Sequence, residues 1–117
     1  TKQSKIGNFE CELYFKSSID WEKISNSIKI NCYRIIQESL QNIIKHAKAS
    51  EVKIELIEED KNLILSIKDN GLGYVKKNKN TGIGQINMIS RAKFLKGKIE
   101  FISSFGYGTE VLMRIPL

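Results

Sequence analysis

The chain has 117 residues, of which 41% are hydrophobic and 27% are charged. This length suits one compact domain with its own core, and the balance of apolar and charged residues excludes an intrinsically disordered chain. No apolar run approaches the roughly 20 residues that cross a bilayer, and no basic and apolar leader argues for secretion. We therefore expect a cytoplasmic location.

Charge and cysteine usage exclude little else. Nineteen basic residues against thirteen acidic ones give a net charge of +6, but the bases are scattered and match no nucleic-acid-binding motif. A nucleotide, an acidic partner surface or a lysine-rich composition would explain the charge equally well. Cys11 and Cys32 lack CxxC spacing and His46 is the single histidine, which predicts buried free thiols and no metal site of His and Cys.

The first half of the chain predicts one strand and one long helix. Residues 1–8 are polar and are expected to form an extended lead-in. Phe9–Phe15 alternates between apolar and polar residues, as a strand does. From about Ile24 to Ala47 the apolar residues recur with helical spacing.

The second half predicts two strand pairs around a helix. Its alternating segments are Val52–Leu56, Leu63–Ile67, Ile99–Ser103 and Val111–Ile115, and a helical pattern covers Ile83–Leu95. The polar residues 58–62 suit a hairpin loop, so the first pair should be antiparallel, whereas residues 70–81 predict an irregular loop. The expected fold is α+β, a two-layer sandwich in which helices cover one face of a mixed sheet.

Three polar residues share one edge of the long helix. At about 100° per residue, Glu38, Asn42 and Lys45 fall within an arc of about 60° beside the apolar stripe. They suit a magnesium triphosphate, because Mg²⁺ prefers hard oxygen ligands and Lys neutralises phosphate. A solvated helix flank explains the same spacing, and for this helix alone it is the simpler interpretation.

The segment Asp69-Asn70-Gly71-Leu72-Gly73 follows a predicted strand. Asn-Gly is a strong hairpin signal, but the residues after Gly73 do not resemble a partner strand. An Asp at a strand end, with glycines that let a flat ring approach the backbone, accounts better for the pattern. Such a carboxylate would accept from an exocyclic amine and select adenine over guanine.

A second glycine pair, Gly82-Ile83-Gly84, precedes the second helix, where free backbone amides suit a phosphate. It is not a dinucleotide fingerprint, because Asn87 replaces the third glycine, and the chain has no P-loop. Lysines lie between the two glycine pairs, at Lys76, Lys77 and Lys79. A solvated loop is the default interpretation, and a lid that closes on phosphates is the alternative.

The motifs described above, on the edge of the long helix, after the strand that ends at Asp69 and around Ile83, will be called boxes. In this order the boxes resemble the ATP-binding catalytic domain of sensor histidine kinases, in the GHKL superfamily of gyrase, mismatch-repair and histidine-kinase ATPases. The segment YRIIQESLQNIIKHAKA, residues 33–49, resembles the subgroup whose partners are response regulators with LuxR-type DNA-binding domains. The resemblance runs from about Trp21 to Leu117. It implies a Bergerat-type ATPase domain over residues 9–117 that binds ATP and Mg²⁺.

The resemblance also implies roles for the polar residues of the long helix. Glu38 matches the acidic residue that orients or activates the attacking group, and Asn42 matches the amide that coordinates magnesium. Lys45 and His46 match the end of this box, which contacts phosphate and ribose. From its position near the apolar stripe, His46 is expected to be pocket wall or core.

For the rest of the pocket, Asp69 matches the aspartate that hydrogen-bonds the adenine amino group, and Thr109 matches the residue that completes this contact through water. The glycines match the family's glycine boxes; they are Gly71 and Gly73, then Gly82 and Gly84 around Ile83, and last Gly106 and Gly108. Two departures stand out. Lys96-Gly97 replaces the usual glycine pair, and the lid between the first two boxes is short.

No segment before Phe9 resembles the dimerisation helices that carry the phosphoacceptor histidine. We therefore expect a fragment of a longer kinase, or a module that acts in trans. Its expected partners are that dimerisation domain and a response regulator, with no direct nucleic-acid contact and a homodimer only through the missing domain. Alternatives are a stand-alone anti-sigma-factor serine kinase and a non-catalytic ATP-gated interaction module.

Overall fold

The structure is a computed structural model that describes residues 2–6, 9–15, 19–47, 49–71, 83–104 and 108–117. Its strands are β1 (Lys2–Ile6), β2 (Phe9–Phe15), β3 (Glu51–Glu59), β4 (Asn62–Asp69), β5 (Lys98–Ser104) and β6 (Gly108–Pro116). Its helices are α1 (Asn26–Asn42) and α2 (Ile83–Phe94), with a 3₁₀ turn at Trp21–Lys23 and a π-helical turn at Ile43–Ala47. None of the helices in these ranges is long and apolar enough to cross a membrane.

The six strands form one mixed sheet in the order β1-β2-β3-β4-β6-β5. Strands β2 and β3 run parallel, and every other neighbouring pair is antiparallel. A parallel pair needs a crossover connection, and α1 supplies it. Within the segment expected as an extended lead-in, residues 2–6 form the edge strand β1.

Both helices cover the same face of the sheet, which confirms the predicted two-layer α+β fold. Strand β4 shows why, because Leu63, Leu65 and Ile67 are at most 1% exposed while the residues between them are half-buried. The helices contribute buried apolar side chains to this core, among them Cys32 and Ile35 from α1 and Met88 and Ala92 from α2. Burial of each large side chain contributes roughly 1.5–3 kcal/mol.

Two polar contacts fix α1 against α2. The guanidinium Nη1 of Arg91 donates to Asn31 Oδ1 at 3.0 Å, and the buried hydroxyl of Ser39 donates to the Sδ atom of Met88 at 3.4 Å. Because Ser39 directly follows Glu38, this second contact also sets the position of the helix edge that carries the predicted site residues.

The chain turns sharply at two points where non-glycine residues have positive φ. Asp60 and Lys61 (φ 52° and 62°) form a two-residue turn between β3 and β4, whose backbone matches the twist of a hairpin. After α2, Lys96 adopts φ 59°. Its amide donates to Lys93 O and that of Gly97 to Ala92 O, the pattern of a Schellman cap. The departure at Lys96 therefore leaves the geometry of the turn intact.

Candidate ATP site at the end of strand β4

Asp69 is the last residue of β4 and lies on the helix-covered face, opposite Val52 on β3 and Thr109 on β6. It is 9% exposed, and its Oδ1 atom accepts a hydrogen bond from the amide of Gly71 at 2.8 Å. Burial raises the pKa of Asp69, whereas hydrogen bonds from the backbone of Gly71 and Thr109 lower it. A carboxylate has about four acceptor positions, so it can still accept from an amine.

Gly108 makes room for this arrangement. It has φ 91°, and a Cβ atom added there would lie 2.0 Å from the carbonyl oxygen of Asp69 and 3.1 Å from Asn70 Cα. Only glycine fits both the conformation and the space. The close approach brings Thr109 beside Asp69, and the Thr109 hydroxyl lies 3.1 Å from the Ser103 hydroxyl. Asp69, Gly71, Gly108 and Thr109, all predicted site residues, are therefore neighbours.

Asn70 is a residue of this site whose role the sequence did not indicate. Its Oδ1 atom accepts from the amides of Ser50 and Glu51, both at 2.9 Å, and its Nδ2 atom donates to Ser50 Oγ at 2.9 Å. The Asn70 amide also donates to Glu51 O at 3.2 Å. This asparagine strap ties the start of β3 to the end of β4. The Asn-Gly step that resembles a hairpin signal is therefore a bridge between strands.

The strap also connects the segment that follows the helix of Glu38 and Asn42 to the strand that ends at Asp69. The π-helical turn that follows α1 leads through buried Ala49 to Ser50, the residue held by Asn70. Glu38 and Asn42 are half-buried, one turn apart on α1, and Lys45 is exposed. Because the helix becomes π-helical after Asn42, the spacing of 100° per residue applies between Glu38 and Asn42. It does not predict the direction in which Lys45 leaves the helix. Such π-helical turns are frequent at functional sites.

The remaining predicted residues lie wholly or partly outside the described part of the chain. Gly73, Gly82 and Gly106 fall there, as do the three lysines of the predicted lid. Ile83 and Gly84 are the first residues of α2, and the backbone of His46 belongs to the π-helical turn. Nothing in the structure describes what the side chains of Ile83 and His46 contact, so their roles stay predictions.

The described residues contain no group of three or more His, Cys, Asp or Glu side chains placed to hold a metal ion. Mg²⁺ commonly takes most of its ligands from nucleotide phosphates and water. The amide oxygen of Asn42, a half-buried residue of α1, fits a magnesium site of that kind.

The family model described as "Histidine kinase-, DNA gyrase B-, and HSP90-like ATPase" matches residues 27–117, which include α1 from its second residue, the strap and all of the Asp69 site. The chain belongs to this ATPase family. An ATPase domain of this kind binds ATP, so the predicted nucleotide class is confirmed at the level of the family.

Two curated proteins that are similar to this chain are named as histidine kinases. The chain is 35% identical over 104 residues to the signal transduction histidine-protein kinase/phosphatase DegS of Brevibacillus brevis, covering 88% of this chain and 27% of DegS. It is 28% identical over 112 residues to the oxygen sensor histidine kinase NreB of Staphylococcus carnosus, covering 94% of this chain and 32% of NreB. The chain thus spans about a third or less of these relatives.

Solved structures show the same fold at lower identity. The histidine kinase domain of the blue-light activated kinase of Erythrobacter litoralis EL346 superimposes with a TM-score of 0.76 at 19% identity, over 92% of this chain and 54% of that one. The histidine kinase AdeS of Acinetobacter baumannii gives a TM-score of 0.71 at 21% identity, over 91% and 53%. The predicted resemblance to the ATPase domain of sensor histidine kinases is confirmed.

Proposed function

We propose that this chain is the catalytic domain of a two-component sensor histidine kinase, and that it presents the γ-phosphate of Mg·ATP to a histidine on a separate dimerisation domain. The observation that supports this most is the buried carboxylate of Asp69. It is held by the Gly71 amide beside Thr109, in a chain matched by the ATPase family over residues 27–117.

In this proposal Asp69 accepts a hydrogen bond from the adenine amino group, and Thr109 completes the contact through water. Gly71 allows the flat ring to approach the backbone, and Gly108 lets β6 approach Asp69 closely enough to bring Thr109 beside it. Asn42 holds Mg²⁺, which supplies charge neutralisation to the phosphates when bound. Glu38, one helical turn before Asn42, orients the attacking group.

The phosphate-facing residues complete the proposed pocket. Lys45 and His46 contact phosphate and ribose. The glycines at positions 73, 82 and 84, with Ile83 between the last two, allow close approach of the triphosphate. The chain's contribution is mainly positioning and charge neutralisation, which dominate in phosphoryl transfer. The phosphoryl group then passes from the acceptor histidine to an aspartate of a response regulator.

Nucleotide selectivity tests the base-recognition step. Calorimetric titration with Mg·ATP and Mg·GTP should show binding of ATP and not of GTP, and Asp69→Ala should abolish it. Glu110→Ala is the matched control, because Glu110 is a half-buried carboxylate beside Thr109 that bonds Ser66 and Lys68 instead. Equal binding of both nucleotides, or ATP binding retained by Asp69→Ala, would refute the proposal.

Catalysis is tested separately in the full-length kinase. Asn42→Ala should abolish Mg-dependent autophosphorylation while some adenosine binding remains, because the base contact does not involve the amide. Gln41→Ala is the control, since Gln41 is the exposed neighbour of Asn42. Normal autophosphorylation by Asn42→Ala would remove Asn42 from the metal site.

A further inference from the structure

Three polar residues form a row across the sheet at the candidate site. Asp69 on β4 is the Cα partner of Thr109 on β6, and Thr109 is in turn the Cα partner of Ser103 on β5. Directly opposite residues point to the same face of a sheet, so Ser103 shares the helix-covered face with Asp69. The next row along the same three strands is apolar and consists of Ile67, Val111 and Phe101. The chain therefore changes from core to polar groups at this row.

The hydroxyl of Ser103 contacts Thr109. Ser103 Oγ and Thr109 Oγ1 are 3.1 Å apart, whereas Ser103 Oγ lies 3.4 Å from the carbonyl oxygen of Gly108. A hydroxyl has one proton, and O–H···O bonds are most common at about 2.7–2.8 Å. The shorter contact therefore takes the Ser103 proton. This makes Thr109 Oγ1 the acceptor and directs the Thr109 proton to another partner.

Ser103 lies one strand farther from Asp69 than Thr109 does. Strand β6 separates β5 from β4, and two strand spacings of about 4.8 Å each place the Ser103 and Asp69 backbones about 10 Å apart. A group that bonds Asp69 directly is therefore beyond hydrogen-bonding reach of Ser103. Any effect of Ser103 on that group has to pass through Thr109, which stands between them.

Proton counting shows what a water between Asp69 and Thr109 can donate. An ionised carboxylate is acceptor-only, so the water donates one proton to Asp69. When it accepts the Thr109 proton, it keeps its second proton for the base. The base must then offer a hydrogen-bond acceptor beside the amino group that Asp69 binds. Adenine has this pair, an amino group next to a ring nitrogen with a lone pair, whereas guanine has a carbonyl next to a ring N–H.

We propose that Ser103 is a positioning residue of the adenine site. Its hydroxyl fixes the side chain of Thr109 so that the Thr109 proton points to the bridging water, and the water donates to the ring nitrogen beside the adenine amino group. This inference rests on the proposed function, because it needs a base at Asp69. It adds to the selectivity for adenine a residue that does not touch the base.

The first test needs no nucleotide. Three-bond couplings to the methyl carbon of Thr109, measured by NMR, report its χ1 rotamer. The wild type and Ser103→Thr should each show one rotamer, because both keep a hydroxyl at position 103, whereas Ser103→Ala should show averaging over staggered rotamers. A single Thr109 rotamer retained by Ser103→Ala would overturn the positioning role.

The second test measures base reading by calorimetric titration with Mg·ATP and Mg·1-deaza-ATP, in which a CH group replaces the ring nitrogen. The wild type should bind ATP about three- to tenfold more tightly than the analogue. Ser103→Ala should weaken ATP binding about two- to fourfold, because one of three hydroxyl positions is no longer selected, and should change the affinity for the analogue by less than about twofold. Ser103→Thr should restore the affinity for ATP.

Two further variants separate positioning from a structural effect. Ser66→Ala is the matched control, because the Ser66 hydroxyl donates to Glu110 Oε2 at 2.9 Å on the opposite face of the sheet, and it should leave both affinities unchanged. Thr109→Val removes the hydroxyl through which Ser103 acts. In that background Ser103→Ala should cause no further loss of ATP affinity.

The outcomes distinguish this inference from the proposed function. ATP binding that depends on Asp69 but is unchanged in Ser103→Ala would overturn the role of Ser103 alone. Equal losses for ATP and the analogue, or a loss that persists in the Thr109→Val background, would also overturn it. No ATP binding by the wild type, or binding unaffected by Asp69→Ala, would refute the proposed function and this inference with it.

Discussion

Replacing Asn70 by Ala should cost this domain more stability than a surface asparagine normally does. The substitution removes three side-chain hydrogen bonds of 2.9 Å, to Ser50 N, Glu51 N and Ser50 Oγ, and leaves the backbone bond to Glu51 O. Hydrogen bonds contribute about 0.5–1.5 kcal/mol each. These three are exposed, so the lower half of that range gives a total of about 1.5–3 kcal/mol.

The assay is urea unfolding of wild type and Asn70→Ala, followed by calorimetric titration with Mg·ATP. A domain with about 5–15 kcal/mol of stability stays folded after such a loss. The affinity for ATP should fall about three- to tenfold, equivalent to about 0.7–1.4 kcal/mol, because Asp69 directly precedes the strap and loses a fixed position.

Asn62→Ala is the matched control. Asn62 lies at the opposite end of β4, is half-buried, and donates one hydrogen bond to Asp60 O at 3.0 Å. It should lose about 0.5–1 kcal/mol and no ATP affinity. If Asn70→Ala lost no more stability than Asn62→Ala, the strap would not join β3 to β4 in the way described here.

Further outcomes follow from burial and backbone geometry. Burial raises the pKa of Asp69 above 3.8. The stability of the wild type should therefore fall relative to that of Asp69→Asn as pH rises from 3.8 through the folded pKa, and the difference should then level off. Urea titrations at several pH values measure this difference, and a difference that stays constant with pH would contradict the prediction. Lys96→Gly should stabilise the domain by about 0.5–1 kcal/mol, because φ 59° suits glycine, whereas Lys93→Gly inside α2 should destabilise it by about 1 kcal/mol; a loss of stability in Lys96→Gly would show that its side chain stabilises the turn. Cys11 and Cys32 are buried and the pKa of each is raised, so both thiols should react with a disulfide reagent at pH 8 only on unfolding, and rapid labelling of the native protein would contradict their burial.

Local patterns predicted most of the fold, because burial on one face leaves a period in the sequence. The alternation in β2, β3 and β4 and the helical stripe of α1 led to elements within a few residues of those observed. The hydrophobic periodicity of a segment does not determine which strands become neighbours in the sheet. The parallel β2–β3 pair and the place of β6 between β4 and β5 arise from tertiary packing, so the sequence pattern left them open.

The same contrast between local sequence patterns and tertiary contacts applies to the candidate site. Asp69 at a strand end was predictable from the strand pattern that precedes it and the glycines that follow it, whereas Gly108 was expected only from the resemblance to the family. The strap was not, since the partners of Asn70 lie 19 and 20 positions away and its Asn-Gly step imitates a turn. The winding after Asn42 also escaped prediction, because a π-helical turn has no simple residue signature.

The sheet order has a consequence for how the domain folds. The described strands fall into three hairpins, β1–β2, β3–β4 and β5–β6, each made of strands adjacent in sequence. Hairpins close in about 1–10 μs, whereas joining β4 to β6 must first overcome the entropy of a long loop. Asp69 and Thr109 face each other across that late seam. The proposed adenine pocket would therefore be absent from any intermediate in which the hairpins have formed without docking, and ATP should slow unfolding by holding the β4–β6 seam closed.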